Sequence, residues 1–450
     1  MKTCNSKIKA PAFLGAALML LIALLFTGCP QRAKPKPKHT ITFGVDGTGG
    51  TLKATVNSGN EVEEGKTVTF TAKADAGYRV KEWKLGGTVI NNKSNTYALT
   101  VTAAVHVTVS FEPKKAILTL EAGKNTVKVK AKTADGKPIT VEGCNETELA
   151  NEAETTLTVT NPERKLALIG DIIELNCSGD ENVDDNRPLA ALDVTGCAAL
   201  QKLNCQYNKI TALNVQGLTA LQELNCKSNQ LSALDVSGLT ALQTLYCNSN
   251  QLTALNVQGL KALKELQCNN NDQLATLDVQ GCTALQKLIC NNNQLTALNV
   301  QGLTELQELD CKGNQLATLN VQGLTKLQKL YCRKNQLSAL DVSGLTALQT
   351  LYCNSNQLTA LNVQGCTALK VLDCYDNKLN ADVFTKLFND LPERKASDGA
   401  EVLLYNTEGS EGNCKNFTTP ENLKKAFDNA KDVKHWKMQK ANYLGIPSDI

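Results

Sequence analysis

Apolar residues recur at a fixed interval through the C-terminal half of the chain. Nine successive units begin with leucine; seven of the eight spacings are 21 residues, and the other is 22 because Asp272 adds one. A degenerate unit precedes them and begins at Ile172. Self-similarity at this period predicts a solenoid whose units stack as successive coils. The nine units begin at Leu200, Leu221, Leu242, Leu263, Leu285, Leu306, Leu327, Leu348 and Leu369.

Each unit combines two extended stretches with two bends. In one of them, Leu245 and Cys247 alternate with Tyr246, which predicts a short strand with one buried face. Asn250 then turns the chain, and its amide can bond the backbone of its own and the adjacent coil. Gly259 permits the second bend, so little room remains for a helix. The turning position is held by Asn208, Asn229, Asn250, Asn293, Asn314, Asn335, Asn356 and Asn377.

The repeating pattern L-x-x-L-x-C-x-x-N-x-L-x-x-L-[DN]-V-x-G-[LC] resembles the short, 21-residue class of bacterial leucine-rich repeats, with cysteine in place of one leucine. The resemblance implies about ten coils with short parallel strands over residues 172–379. Residues Asn229 to Gly259 are identical to residues Asn335 to Gly365, which indicates a recent internal duplication. We therefore expect a mainly β fold built around this solenoid.

Two β-rich segments precede the repeats. Residues 41–113 alternate strand-like runs with glycine turns, and "GYRVKEW" at Gly77 to Trp83 resembles the divergent internalin B-repeat, a small β domain of bacterial surface proteins. That resemblance implies a spacer or adhesion module, with Tyr78 and Trp83 in its core. Residues 114–171 hold period-2 runs, which predict a β cap over the open first coil, with Cys144 as a buried thiol.

Residues 380–450 read as an α/β cap that closes the other end. The spacing of "ADVFTKLFNDLP" predicts a helix, and "EVLLYN" predicts a strand. "TPENLKKAFDNA" predicts a second helix with Thr419 as N-cap and Pro420 at its first position. "KHWKM" is compatible with a last strand, and we expect Trp436 to lie in the core of the cap.

The N-terminus carries a targeting segment. Residues 1–28 combine a lysine-rich start with an apolar run too short for an ordinary membrane span. The run ends in "LFTGC", which resembles a bacterial lipoprotein signal and implies lipidation of Cys29; the alternative is a secretory signal with a chance cysteine. With Cys29, the proline- and lysine-rich residues 29–40 predict an extended tether.

Ten cysteines form a ladder, one per coil, and three interpretations compete. As small apolar fillers they would pack inside the coils. Disulfides fit poorly because neighbouring strands would hold the Cβ atoms about 4.8 Å apart and parallel. A metal needs four ligands around one point, which a straight row does not supply. Packing is therefore favoured, and Cys197, Cys282 and Cys366 support it by replacing a leucine. The ladder comprises Cys177, Cys205, Cys226, Cys247, Cys268, Cys290, Cys311, Cys332, Cys353 and Cys374.

Candidate binding residues lie on the outward side of the first strand, where the framework repeats but the side chains vary. From Ile172 to Leu379 the aromatic residues are all tyrosines, on or just after this strand. Tyrosine pairs apolar area with a hydroxyl, which suits protein or glycan contact; the alternative is that tyrosine merely suits exposed strands. The candidate ligand-binding residues are Tyr246, Ile289, Lys329, Tyr331, Arg333, Tyr352, Asp373 and Tyr375.

Composition excludes several other functions. The net charge of +3 gives no argument for nucleic acid, and three dispersed histidines leave little material for a catalytic or metal site. We expect no enzyme activity, cofactor, metal or small-molecule substrate. The sequence favours a monomeric, exported lipoprotein, at the outer membrane and cell surface, that binds a protein or glycan on host or neighbouring cells. The alternative is a periplasm-facing structural scaffold without a host ligand.

Overall fold

An N-terminal β domain begins the part of the chain that the structure describes. The computed structural model covers residues 34–75, 77–180, 187–407, 412–442 and 446–450, so Cys29 and the predicted signal segment lie outside it. Its first strand begins at Lys38, three residues before the predicted boundary, so the end of the expected tether belongs to this domain. The strands are β1 (Lys38–Asp46), β2 (Gly50–Ala54), β3 (Asn60–Glu63), β4 (Thr67–Ala74), β5 (Tyr78–Leu85), β6 (Thr88–Ile90), β7 (Thr96–Thr100) and β8 (Val105–Pro113).

Two sheets, β3-β1-β8-β5-β6 and β2-β4-β7, enclose the core of this domain. Trp83 is fully buried, and its indole N–H donates to the Ser94 carbonyl over 2.9 Å, which satisfies the one polar atom of the ring. Tyr78 is half-buried and packs against the edge of the same core. The predicted core role therefore holds fully for Trp83 and only in part for Tyr78.

A small β cap covers both sides of the first coil. Strand β10 pairs antiparallel with the first strand on one side of the solenoid, and β9 pairs antiparallel with a strand on the other side. The cap thus occupies edges that would otherwise expose unpaired backbone groups. Its strands are β9 (Lys115–Leu120), β10 (Thr126–Thr133), β11 (Ile139–Glu142), β12 (Glu148–Leu149), β13 (Glu154–Thr158) and β14 (Lys165–Ile169).

The coils stack in register and build one long parallel sheet. In the described residues its three-residue strands place a buried leucine between two partly exposed side chains, as the alternating pattern predicts. On the second side of the coil, only some units form strands. The strands of the array are β15 (Ile172–Asn176), β16 (Leu189–Asp193), β17 (Lys202–Asn204), β18 (Glu223–Asn225), β19 (Thr244–Tyr246), β20 (Ala254–Asn256), β21 (Glu265–Gln267), β22 (Thr276–Asp278), β23 (Lys287–Ile289), β24 (Glu308–Asp310), β25 (Lys329–Tyr331), β26 (Ala339–Asp341), β27 (Thr350–Tyr352), β28 (Ala360–Asn362) and β29 (Val371–Asp373).

Asparagine amides connect each coil to the one before it. The side-chain nitrogen of Asn314 donates to the carbonyls of Cys290 and Cys311, both over 3.0 Å, and its oxygen accepts from the Leu295 N–H over 3.0 Å. The other predicted positions make equivalent contacts, except that the oxygen of Asn293 accepts from the Asn271 N–H. The structure adds two members to the positions named from the sequence. Asn271 fills the position in the 22-residue coil, and Asn413 of the C-terminal cap bonds the Cys374 carbonyl and the Leu379 N–H.

Glycine is required at the second bend by both backbone conformation and space. Gly281 has φ +77°, in the left-handed region, and a Cβ there would lie 3.3 Å from the Cα of Gly259 in the preceding coil. Any larger residue would therefore combine strain with a close contact between coils.

The closing cap continues the long sheet rather than only covering it. Strand β30 pairs in parallel with β29, and its Glu401 and Leu403 lie beside Val371 and Asp373. The first helix buries Phe384, as its spacing predicts. The elements are α1 (Ala381–Asp390), β30 (Glu401–Asn406), α2 (Glu421–Asp428), β31 (Lys437–Ala441) and β32 (Pro447–Asp449).

Several details differ from the sequence prediction. Pro420, not Thr419, is the N-cap of α2, because the helix begins one residue later than expected. Cys144 is only half-buried, since it lies at an isolated bridge to Val159 at the edge of the cap. Trp436 is buried as expected, but it lies just before the last strands. Among the residues that the structure describes, no helix has both the length and the apolarity needed to cross a membrane.

Candidate binding surface

The outward side of the long sheet presents its side chains in columns. We call this side the strand face; it is formed by β15, β17, β18, β19, β21, β23, β24, β25, β27 and β29. Because the coils pair in register, equivalent residues of successive strands are direct neighbours. The column formed by the first residue of each three-residue strand largely alternates in charge. Two of its ion pairs are Lys202–Glu223 at 3.0 Å and Lys287–Glu265 at 3.2 Å. These exposed pairs contribute little stability, but they neutralise the carboxylates on that part of the face.

The last residue of each three-residue strand forms a second outward column. Four neighbouring residues of this column form the most distinctive group on the strand face. Asp310 pairs in register with Tyr331, Tyr331 with Tyr352, and Tyr352 with Asp373, so two tyrosines stand between two aspartates. We call these four residues the tyrosine row. The two rings meet edge to face, with centroids 5.2 Å apart and planes at 62°. Aromatic pairs favour this arrangement, which holds both rings in place without burying them fully.

The guanidinium group of Arg333, two residues after Tyr331, contacts the tyrosine row. The Arg333 Cζ atom lies 5.9 Å from the centroid of the Tyr352 ring, within the range of a cation–π contact. Its positive charge also opposes the rise in the pKa of Asp310 and of Asp373. The Nε atom of Arg333 is buried and has no hydrogen-bond partner in the described structure. The arginine is thus held against the rings while it partly offsets two carboxylates.

Both aspartates of the row are held in an unfavourable environment. Burial, reinforced by the negative charge of Glu401, raises the pKa of Asp373 to about 6. Burial also raises the pKa of Asp310. A buried charge that lacks a full partner is costly, and such groups concentrate where a protein binds something. The row is therefore a better candidate site than the self-neutralised part of the strand face.

Identical local sequences give Tyr246 a different setting from Tyr352. Tyr246 is flanked in register by Asn225 and Gln267, and its hydroxyl donates to the Glu265 carboxylate over 2.9 Å. Burial, with this hydrogen bond, raises the pKa of Tyr246 to about 12. Its polar group is thus already engaged within the fold, and the difference from Tyr352 arises only from the neighbouring coils.

The other predicted residues divide between the row and positions outside it. Lys329 belongs to the same strand as Tyr331 and is exposed, whereas Ile289 lies two strands before Tyr331 and Tyr246 lies four strands before it. Tyr375 is half-buried, two residues after Asp373. The structure therefore brings together part of the predicted set and leaves Tyr246 and Ile289 apart from it.

The structure differs from the sequence prediction of the binding surface at three residues. Asp310 was not among the candidate residues. It occupies the same repeat position as Tyr331 in the preceding coil, and this could have indicated it. Glu401 could not be found from the repeat, because it enters the face from the cap, where the pattern has ended. Tyr207 does not extend an exposed stripe, since it is 7% exposed and its hydroxyl accepts from the Lys227 ammonium over 2.6 Å.

A cavity of about 360 Å³ opens at the other end of the strand face, where β10 of the cap meets the first coils. Three lysines and three glutamates line it, and two of each form ion pairs with one another. Lys132 lies 2.5 Å from Glu152, in addition to the pair between Lys202 and Glu223. Because most of its charges are already paired, this cavity offers fewer unpaired polar groups than the tyrosine row.

The cysteine ladder lies in the core, as the packing interpretation predicts. All ten ladder thiols have no exposed surface, and the three additional ones, Cys197, Cys282 and Cys366, are at most 2% exposed. Burial raises the pKa of Cys311 well above its ordinary value and that of Cys247 to about 12. A thiol that stays protonated is a poor nucleophile and a poor metal ligand. Within the described residues, no group of three or more His, Cys, Asp or Glu side chains is arranged to hold a metal ion.

Comparison with known families matches two parts of the chain. Residues 40–115 match the divergent InlB B-repeat domain, and residues 325–365 match a model of two leucine-rich repeats. One segment of the chain is thus similar to a divergent InlB B-repeat domain, and a later segment is similar to leucine-rich repeats. Repeats of these two kinds are typically non-enzymatic scaffolds, and leucine-rich repeat proteins commonly bind other proteins. The second match includes Tyr331, Arg333 and Tyr352, whereas Asp310 and Asp373 lie outside the matched residues.

Solved structures of leucine-rich repeat proteins are similar to part of this chain. The functional domain of InlJ from Listeria monocytogenes, described as including a cysteine ladder, is 26% identical over 53% of this chain and 70% of that chain, with a TM-score of 0.35. A leucine-rich repeat protein from Leptospira interrogans is 23% identical over 54% of this chain and 73% of its own, with a TM-score of 0.33. No curated protein matches the chain.

Proposed function

We propose that this leucine-rich repeat protein is a lipid-anchored surface protein that binds a protein or glycan on host or neighbouring cells. In this proposal, lipid on Cys29 holds it at the outer membrane, and the β domain of residues 38–113 spaces the solenoid from the lipid. The strand face then meets the ligand. The N-terminal motif supports the anchor, and the repeat architecture supports binding.

One observation carries the binding part of the proposal, namely the edge-to-face pair of Tyr331 and Tyr352 between Asp310 and Asp373. Half-exposed tyrosines supply contact area at low entropic cost, since each has only two side-chain torsions to fix. Carboxylates beside them supply strong hydrogen-bond acceptors. A surface kept only for stability would gain from replacing these partly buried charges.

The binding test compares Tyr331→Ala/Tyr352→Ala with wild type on host matrix, host cells and bacterial cells. We expect the double variant to lose at least about tenfold in affinity, the size typical of a binding hot spot. Tyr246→Ala is the matched comparison, because its flanking sequence is identical to that of Tyr352, and we expect a clearly smaller loss. Equal binding by wild type and the double variant would show that the tyrosine row is not the ligand site.

Exposure outside the cell needs its own test, because a periplasm-facing scaffold would share the same fold. Protease treatment of intact cells should remove the solenoid if the proposal is right. Complete protection in intact cells, followed by digestion after the outer membrane is opened, would favour the scaffold. Labelling with a radioactive fatty acid, lost in Cys29→Ser, tests the anchor separately.

A further inference from the structure

Two carboxylates lie together beside Tyr352 at the C-terminal end of the tyrosine row. Asp373 follows Tyr352 in register, and Glu401 enters from the cap strand, where it is the neighbour of Val371. Both carboxylates are partly exposed, so a ligand can reach them. Their mutual repulsion contributes to the raised pKa of Asp373. The fold thus concentrates negative charge at one end of an aromatic surface.

Neither carboxylate has a cation within ion-pair distance in the part of the chain that the structure describes. This contrasts with the other end of the strand face, where Glu223 and Glu265 each pair with a lysine. Lys437 is the register neighbour of Glu401, yet its ammonium lies 3.2 Å from Asp449 instead. Arg333 is the nearest cation that acts on Asp373, and it lies against Tyr352.

This arrangement fits one kind of ligand group. A lysine or arginine side chain can lay its apolar stem along the rings of Tyr331 and Tyr352 and direct its charge between Asp373 and Glu401. Arg333 already shows that the Tyr352 ring accepts a guanidinium neighbour. Two carboxylates alone supply too few oxygens for a calcium ion, which takes six to eight. An organic cation therefore suits the place better than a metal ion.

We propose that Tyr352, Asp373 and Glu401 form an anchor pocket for a lysine or arginine side chain of a protein partner. The inference rests on the proposed binding function and names the class of partner. The chain as a whole has a net charge of +3 and would not attract a cationic partner by itself. Attraction would therefore depend on the local negative charge of Asp373 and Glu401. The tyrosines then supply contact area, and the carboxylates supply selectivity.

The test is selection of phage-displayed random 12-residue peptides on the full folded chain. Selections run in parallel on wild type, on Asp373→Asn/Glu401→Gln, and on Glu305→Gln/Glu421→Gln. The last variant removes the same two charges from exposed ion pairs with Lys326 and Lys425, away from the strand face. Circular dichroism and the melting temperature confirm that each variant is folded before selection.

We expect peptides selected on wild type and on the control variant to be enriched at least about threefold in lysine and arginine over the unselected library. The enrichment should disappear on Asp373→Asn/Glu401→Gln. A basic excess that persists on that variant would overturn the proposal. So would selective capture of glycans on an array with no peptide enrichment, or no enrichment at all.

The failure of this inference is distinguishable from failure of the binding function. Peptides that are enriched in aromatic or apolar residues, and that no longer bind Tyr331→Ala/Tyr352→Ala, would leave the tyrosine row as a protein-binding site and refute the cation pocket. Basic peptides that bind equally well to that double variant would refute the role of the tyrosines in the pocket. Selected peptides are then measured individually by fluorescence polarisation at two salt concentrations, since an ion-paired anchor weakens with salt.

Discussion

The rings of Tyr331 and Tyr352 lie 5.2 Å apart in adjacent coils and meet at 62°. This contact joins residues that are 21 positions apart in the chain and occupy the same position in their repeats. The backbone ladder brings them together, because Tyr331 and Tyr352 are register partners in β25 and β27. A repeat protein can thus assemble a specific surface by substituting the same position in neighbouring units, without altering the framework.

The ring contact should be measurable as a coupling energy. In a double-mutant cycle with Tyr331→Leu and Tyr352→Leu, we expect an interaction of about 0.5–1.5 kcal/mol in the free energy of unfolding. The cycle between Tyr246→Leu and Tyr331→Leu is the control, since these residues are four strands apart and should add within about 0.5 kcal/mol. Urea denaturation measures both. A coupling near zero for the adjacent pair would show that the rings do not stabilise each other.

The asparagine positions should be far more sensitive than their exposed counterparts. Asn314→Ala leaves the buried Leu295 N–H without its acceptor and removes the bonds to Cys290 and Cys311, so we expect a loss of about 2–4 kcal/mol. Asn299 lies in the preceding coil, and its side chain accepts an exposed hydrogen bond from the Gln301 N–H. Asn299→Ala should therefore cost only about 0.5 kcal/mol. Similar losses for both variants in chemical denaturation would contradict the proposed role of the asparagine amides.

The cysteine ladder should be chemically silent in the native state. Fifteen of the cysteines lie in the described residues, and only Cys144 and Cys414 are partly exposed. Cys144 and Cys414 should therefore react with a maleimide in the native state at pH 7.5, with Cys144 slow because burial raises its pKa to about 11. The other thirteen described cysteines should react only in denaturant. Mass spectrometry of time points identifies the labelled residues. Rapid native labelling of ladder thiols such as Cys311 would refute the packing interpretation.

Asp373 should make stability depend on pH in a defined direction. Burial and Glu401 raise its pKa from 3.8 to about 6, so the folded chain holds this proton more tightly than the unfolded chain does. The stabilisation from this group is therefore present below pH 4 and is lost as pH rises towards about 6. Asp373→Asn should raise the free energy of unfolding at pH 7.5 by about 1–3 kcal/mol and change it little at pH 3.5.

The comparison of wild type and Asp373→Asn across pH isolates this carboxyl, because other titrating groups cancel in the difference. Glu401→Gln should produce a smaller gain, since it removes the repulsion and leaves the burial. A stability difference between wild type and Asp373→Asn that is constant from pH 3.5 to 7.5 would mean that Asp373 ionises normally in the folded chain.

The repeat made most of the architecture predictable, since leucine, cysteine, asparagine and glycine at fixed spacing dictate strand, core, turn and bend. Prediction failed where the period ends or changes. Asn271 fits the repeat pattern but was not named among the turning positions of the 22-residue coil. Glu401 was missed because a cap strand continues the sheet without the repeat pattern. The sequence indicated which residues face outward. It could not show that Arg333 lies against Tyr352, or that no described lysine pairs with Asp373, because these depend on side-chain packing between coils.

The internal duplication offers a deletion that separates fold from binding. Removing residues 230–335 joins Asn229 to Gln336, whose following sequence is identical to that after Asn229, so every junction contact is preserved. Because each coil contacts only its neighbours, the shortened chain should fold cooperatively, with a lower denaturant m-value in proportion to the lost surface.

In the shortened chain, the register neighbour of Tyr352 is Asn225 and no longer Tyr331, while Asp373 and Glu401 remain beside Tyr352. We expect ligand binding to weaken at least about tenfold, because the deletion removes Tyr331 together with Asp310 and Arg333, while the basic preference of the remaining contact survives. An unfolded deletion variant would show that the coils are not interchangeable, and full ligand affinity in a folded one would show that Tyr331 takes no part in binding.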